Sequence, residues 1–381
     1  MKISKSWSGK DPVAALALIV AVLLALALGA VLLLVLGKNP VDAYISMLDG
    51  AFGSDTRILN TINRSIPLLL VAVGICIAFR GGVINIGAEG QLFVGAISAT
   101  AVAVALGDSA SPVLGPLLVL AAGTAGGLVW GLIPGFLKAR FAVNEILSTV
   151  MMNEIAVQLL IFLLSGPMID PREIELGTRI PQSAPLPEAT WLGRLLPPSR
   201  LHTGIFVALA MAVVVYLLLW RTPLGYRIRA VGFSRHASRY AGISVPFYLT
   251  LALALSGALA GLAGAVEVTG LTHRMVEGFG VGLGFSGIVV ALFGRLHPLG
   301  AIPSAFLFGA LLTGAERMQR TLQVPSATMT VLQGLVVLFV VSSEVWVRRR
   351  AARRAAQHVS AAVPVEPPPL EQAAIAGGHH D

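Results

Sequence analysis

Residues 13–36 form an unbroken apolar run of 24 residues, longer than the ~18 that suffice for a helix to cross a bilayer. Such runs recur at about 58–79, 84–107, 112–137, 143–165, 203–220, 246–270, 283–296, 299–316 and 326–346. Only 12% of the 381 residues are charged, against roughly 25% in soluble domains. Lipid offers no partner to a free backbone amide, so a spanning segment must satisfy its own. The expected fold class is therefore an all-α polytopic membrane protein of about ten transmembrane helices. "GRLHPLG" divides 283–316, which reads either as two spans or as a broken hairpin.

The first run is too long for the 7–15-residue apolar region of a signal peptide, so it reads as an uncleaved helix. With a cytoplasmic N-terminus, 17 of the 27 Lys and Arg fall on the inner side, as the positive-inside rule asks. Ten spans put both termini inside. The membrane domain is then 1–346, with a Pro-rich, irregular outer loop at 166–202. Residues 347–381 form a cytoplasmic tail, first basic and then disordered in composition. Its arginines suit an anionic inner leaflet, and nothing indicates nucleic acid. The one cysteine, Cys76, lies in an apolar run and the histidines show no metal-ligand spacing, so neither a disulfide nor a metal site is expected.

The polar residues inside this apolar chain carry the functional signal. In "GGVINIGAEGQLF" (81–93) the two glycines permit a sharp turn. Asn85 is a candidate N-cap, and Glu89 falls in the first turns of the next helix, where the dipole favours a carboxylate. Asn85 and Glu89 share a face. Together with Gln91 they either line a polar path for a hydroxyl-rich solute or bond neighbouring helices. "VNEILSTVMMNEIA" supplies Asn144, Glu145, Asn153 and Glu154; positions nine apart lie on opposite helix faces, so one pair faces the path and the other a helix interface, unless both bond neighbouring helices. Ser286, in the Gly-rich stretch "GFGVGLGFSG", completes the candidate path set. The two Gly-rich interruptions stand at matching places in 58–165 and 246–346, which suggests inverted four-helix repeats. In 221–244, Thr222–Pro223 and Ser234 are helix-start signals, and a short helix there ends at Gly242.

These motifs, with "GFSGIVVALFGRLHPLGAIPSAFLFGALLTGAERMQ", resemble bacterial ABC transporter permeases of the ribose/branched-chain amino acid type. The resemblance covers about 58–346. "NIGAEGQ" resembles the simple-sugar branch, which includes nucleoside importers, and the Met-Met-Asn run leans to the nucleoside subgroup. Glu154, where such permeases often have an aromatic residue, and "FSRHAS" depart from the pattern. The resemblance implies a permease subunit in the cell (inner) membrane with no catalytic residues of its own. It implies a second homologous permease, a cytoplasmic ATPase that binds ATP and Mg, an extracytoplasmic solute-binding lipoprotein, a small-molecule solute and surrounding lipid. It places ATPase coupling in 221–244, where Thr222, Gly225, Arg227, Arg229, Ser234, Arg239 and Gly242 are the candidates.

The chain has no phosphate loop, so any ATP is hydrolysed elsewhere. A free simple sugar or a branched-chain amino acid is the alternative cargo. An ion-coupled secondary transporter using Glu89 and Glu154 is the alternative class. An intramembrane protease built on Ser286 needs a histidine at its depth, and His273 and His297 lie in flanking loops.

Overall fold

The computed structural model describes residues 12–197 and 199–324, with isolated positions from 328 to 342. Among these there are α-helices and three isolated bridging pairs, but no strand. The helices are α1 (Pro12–Val35), α2 (Pro40–Phe52), α3 (Asp55–Arg80), α4 (Ala88–Leu106), α5 (Leu114–Phe141), α6 (Glu145–Ser165), α7 (Pro171–Glu175), α8 (Gly204–Arg221), α9 (Pro223–Phe233), α10 (Arg235–Tyr240), α11 (Val245–Glu267), α12 (Leu283–Phe293) and α13 (Ala301–Leu322). A π-helical turn, Val268–Thr272, extends α11. Residues 31–330 form one compact unit, and the described residues before 31 belong to another.

Among the described residues six helices are long and apolar enough to cross a membrane: α3, α4, α5, α6, α8 and α11 with its extension. The bent pair α1–α2 raises this to seven if it counts as one broken span. The expected tenth span, 326–346, is described only at isolated positions, and the tail lies outside the described residues.

The core is built on α3 and α11, each 83% buried over its most apolar stretch. Over that stretch both are apolar around nearly their whole circumference, as an enclosed helix must be. Helices in lipid gain little from hydrophobicity and associate through close packing. Here α5 brings Gly123, Gly127 and Gly131, spaced four apart, against Gly257 and Gly261 of α11. A Cβ on Gly127 would lie 2.2 Å from the Gly257 carbonyl oxygen, and one on Gly261 would lie 2.3 Å from that of Gly123. Only glycine allows these backbones to touch.

The structure corrects one sequence expectation and narrows two others. The third span does not begin at 84: residues 83–86 are non-helical and α4 begins at Ala88. The eighth, 283–296, is not a span. At 11 residues, α12 is ~16 Å long, about half the ~30 Å hydrocarbon layer, and it forms a hairpin with α13. The loop 166–202 is irregular but pinned. Asp170 caps α7. Ser183 N–H donates to Met275 O (2.9 Å), Leu186 N–H to His273 O (2.9 Å) and Leu192 N–H to Thr269 O (3.2 Å), binding the loop to the segment after α11. The sequence reading assigned nothing to α2, which starts at the Asn39 cap and Pro40.

Candidate functional site: a re-entrant helix junction

The chain leaves α3 at Arg80, turns at Gly82 with φ of 75°, and re-enters the helix layer through 83–87. A polar side chain there must find partners, because a buried unpaired group costs about 1–3 kcal/mol. Asn85 is fully buried. Its Nδ2 donates to Gln91 Oε1 (2.8 Å) and to Ser256 Oγ of α11 (2.9 Å). Its Oδ1 accepts from Gly87 N–H (3.0 Å) and Gln91 Nε2 (3.2 Å). Asn85 is thus not the N-cap, a position held by Gly87; it turns the chain two residues earlier, and its hydrogen bonds are spent on its neighbours.

Asn153 of α6 completes the start of α4. Its Oδ1 accepts from Gly90 N–H (2.8 Å) and its Nδ2 donates to Ile86 O (3.0 Å). It satisfies a first-turn donor that α4 leaves without an intrahelical partner.

Glu89 reaches across to α12. Its Oε1 accepts from the backbone N–H of Gly282 (3.0 Å), the N-cap of α12. The approach is tight: a Cβ on Gly284 would lie 2.4 Å from Glu89 N. Two helix N-termini therefore converge on one buried carboxylate, and their dipoles favour negative charge. Glu89 Oε2 is buried and has no hydrogen-bond partner. At the other end of α12, Arg80 Nε donates to Leu296 O (3.0 Å). The length of α12 thus sets its Glu89 end ~16 Å from its Leu296 end.

The structure brings Asn85, Glu89, Gln91 and Asn153 together and sets Ser286 on the first turn of α12, partly buried. It separates Asn144 and Glu145, which lie at the α5–α6 turn. Asn144 caps α6 (2.9 Å to Ile146 N) and Glu145 pairs with Lys138 (2.7 Å). Glu154 is exposed on α6. Ser256 was missed; one serine in an Ala/Leu/Gly run carries no signal without its partner. Among the described residues no cluster of His, Cys, Asp or Glu is arranged to hold a metal, and no histidine bonds Ser286.

On the Arg80 side, Thr222 Oγ1 accepts from Gly225 N–H (3.1 Å) and Ser234 Oγ from Ala237 N–H (3.3 Å), starting α9 and α10. Gly225 packs on the α8 backbone, where a Cβ would meet Leu218 O at 1.9 Å. Arg227 bonds Tyr248 Oη (3.1 Å), and Arg229 turns back to Leu219 O (2.8 Å). Arg239 is exposed, and Gly242 ends the segment with φ of 73°. The most exposed large hydrophobic side chains among the described residues were not singled out from sequence: Phe233 at 94% and Tyr240 at 92%. The segment also grips the re-entrant turn. Arg235 Nη2 donates to Gly82 O (2.9 Å), and a Cβ on Gly232 would lie 2.0 Å from Arg80 O.

Buried central helices, an interrupted helix with a polar start, and a small helical module beside them fit a membrane transport protein, and the comparisons with known proteins make it a permease, a transport subunit. Residues 57–341 match the family described as "Branched-chain amino acid transport system / permease component", and the chain belongs to that family. It is 40% identical to the guanosine ABC transporter permease protein NupP of Bacillus subtilis, over 85% of this chain and 92% of that one. It is 35% identical to the glucose ABC transporter permease protein TsgB13 of Haloferax volcanii, over 87% and 88%. It is 31% identical to the nucleoside ABC transporter permease protein NupB of Lactococcus lactis, over 84% and 89%. The two bacteria each hold a second matching permease described with the same solute, NupQ and NupC. No solved structure matches the chain.

Proposed function

We propose that this chain is a membrane subunit of an ABC importer for nucleosides. The observation that carries the solute class is the 40% identity, over most of both chains, to a permease described for guanosine. A simple sugar remains the second reading, favoured by the 35% identity to a permease described for glucose. Paired relatives within one organism support a second, homologous permease as partner. A cytoplasmic ATPase, holding ATP and Mg, docks on α9–α10, and a solute-binding lipoprotein delivers cargo to the face of 166–202.

Both termini lie in the cytoplasm of a cell whose inner membrane the chain crosses about ten times. The basic segment after 346 rests on the inner leaflet. Inverted repeats have support in the matched roles of α3 and α11. Each is central, and each is followed by an irregular stretch and a helix that starts at the Glu89–Gly282 junction. Transport is by alternating access. Motion of the ATPase reaches Gly82 through Arg235 and Gly232, and from there six residues lead to Glu89. Asn85, Gln91 and Asn153 hold that junction together, and Glu89 and Ser286 face the moving boundary.

Initial-rate uptake of labelled guanosine, with and without this chain, tests the reading. Loss of saturable uptake on deletion, uncompeted by glucose, ribose or leucine, supports it. Loss of glucose or ribose uptake with nucleoside uptake intact moves the cargo to a sugar. Uptake that persists without ATP and collapses with an uncoupler overturns the ABC assignment.

A further inference from the structure

α12 is held at both ends by one short piece of chain. At its start, Glu89 accepts the Gly282 N–H. Past its end, Arg80 Nε donates to Leu296 O (3.0 Å) and Arg80 Nη2 to Arg295 O (3.3 Å). The re-entrant turn between Arg80 and Glu89 therefore bridges the two ends of α12.

The turn that Arg80 holds is strained. Arg295 and Leu296 have φ of 57° and 52°, a region that residues with a Cβ avoid. No other adjacent pair of non-glycine residues among the described residues does this. Their own amides are spent on α12: Arg295 N–H donates to Leu292 O (2.9 Å) and Leu296 N–H to Ala291 O (2.8 Å). Their carbonyls take donors from outside the turn, and a guanidinium at the negative end of a helix is favoured by charge as well. Strained backbone of this kind persists only where its surroundings over-determine it.

Further contacts fix where Arg80 stands. Its guanidinium lies 5.5 Å from the centre of the Trp220 ring of α8, and the guanidinium of Arg229 of α9 lies 5.6 Å from the same ring. His297, on the strained turn, packs on Trp220 at 4.9 Å. The Arg80 carbonyl meets Gly232 of α9, where a Cβ would lie 2.0 Å away. One residue thus touches α8, α9 and the turn between α12 and α13.

We propose that Arg80 is a positioning residue that makes the α12–α13 turn follow the α9–α10 module. This deepens the ABC-importer reading and rests on it. A shift of α9 presses on the Arg80 carbonyl, and the guanidinium carries the shift to Leu296. α12 then carries it to Gly282. The Glu89–Gly282 bond is moved from both of its ends: Glu89 through the chain from Gly82, and Gly282 through α12 from Arg80.

The test places nitroxide labels at Phe233→Cys and Leu299→Cys, both exposed, one on the module and one on the turn, in the full chain in lipid nanodiscs. Cys76 is fully buried and takes no label. The parent is expected to show a single distance. Arg80→Gln is expected to add a second one, and Arg80→Lys, which keeps charge and donors, to restore the first. Guanosine uptake in cells is expected to fall about tenfold or more with Arg80→Gln, the factor set by loss of one hydrogen bond to a charged group, and to recover with Arg80→Lys. A role in folding alone would reduce the inserted chain and leave the distance in the remainder as it was. Should Arg80→Gln fail to insert, Trp220→Leu, which removes the ring beside the guanidinium, is expected to add the second distance in its place. One unchanged distance in the variant that inserts, or full uptake beside a second distance, overturns the proposal. A parent that takes up no guanosine removes the nucleoside reading instead, and the distances still decide whether Arg80 ties the turn.

Discussion

Glu89 and Gly282 lie 193 positions apart, yet the Glu89 carboxylate accepts the backbone N–H of Gly282 at 3.0 Å. That bond joins the start of α4 to the start of α12. Replacing Glu89 by leucine leaves the Gly282 donor unpaired, at a cost of about 1–3 kcal/mol. Glu89→Gln keeps an acceptor and loses only the charge facing two helix dipoles. Thermal unfolding of the purified chain should therefore fall clearly for Glu89→Leu and less for Glu89→Gln. Uptake and assembly unchanged in Glu89→Gln would remove any role for the charge in transport.

The α5–α11 contact makes a sharper demand. Gly261 faces the Gly123 carbonyl, with no room for a methyl group. Gly261→Val forces a backbone shift, and overpacking of this kind costs about 1–3 kcal/mol or more. The expected outcome is loss of the monodisperse, detergent-stable fraction. Gly242→Ala makes a useful contrast. That position has open space around it, so its cost is the strain of a positive φ, roughly 1 kcal/mol.

Hydropathy alone located α1, α3, α5, α6, α8 and α11, because lipid imposes one rule on all of them. It failed where that rule relaxes. α12 is apolar enough to pass as a span and is too short to be one; its end is set by Glu89, a residue far away in sequence. α2 carries Asp42 and Asp49 within 13 residues, so no window of spanning length marks it. Asn85 and Gln91 were legible as unusual. That they satisfy each other could not be read, since the Ser256 that completes the set belongs to α11.

The exposed aromatics of α9–α10 separate docking from folding. Phe233 and Tyr240 are almost fully exposed, and surface changes of this type shift stability by only about 0.5 kcal/mol. Phe233→Ser with Tyr240→Ser should leave membrane level and unfolding temperature unchanged while co-purification of the ATPase drops. Arg229→Ala should do the reverse, since Arg229 holds the α8 carbonyl of Leu219. Normal ATPase recovery with the double aromatic variant would place the docking surface elsewhere.

The loop 166–202, as a strap over the segment after α11, should weaken in acid. His202 is buried; its Nδ1 accepts from Gly204 N–H (3.1 Å), and its ring is pressed against Gly270 and Gly204. Burial, with a smaller contribution from His273, lowers its pKa from the ordinary 6.5 to about 4. His273 itself stacks on Trp191 at 3.8 Å, and burial, with the nearby Arg194 charge, lowers its pKa as well. A depressed histidine means that the unfolded chain binds more protons than the folded one between the two values. Stability is then full above pH 6.5 and falls as pH drops towards 4. For His202 the loss is roughly 3 kcal/mol at one pKa unit per 1.36 kcal/mol. The hydrogen-exchange protection factors of 183–192, taken relative to the intrinsic rate at each pH, should fall over that range, while those of the Gly123–Gly131 and Gly257–Gly261 contact between α5 and α11 stay unchanged. His202→Gln, which cannot take up a proton, should flatten most of the dependence; a slope unchanged in that variant would mean that the strap is held by groups other than His202.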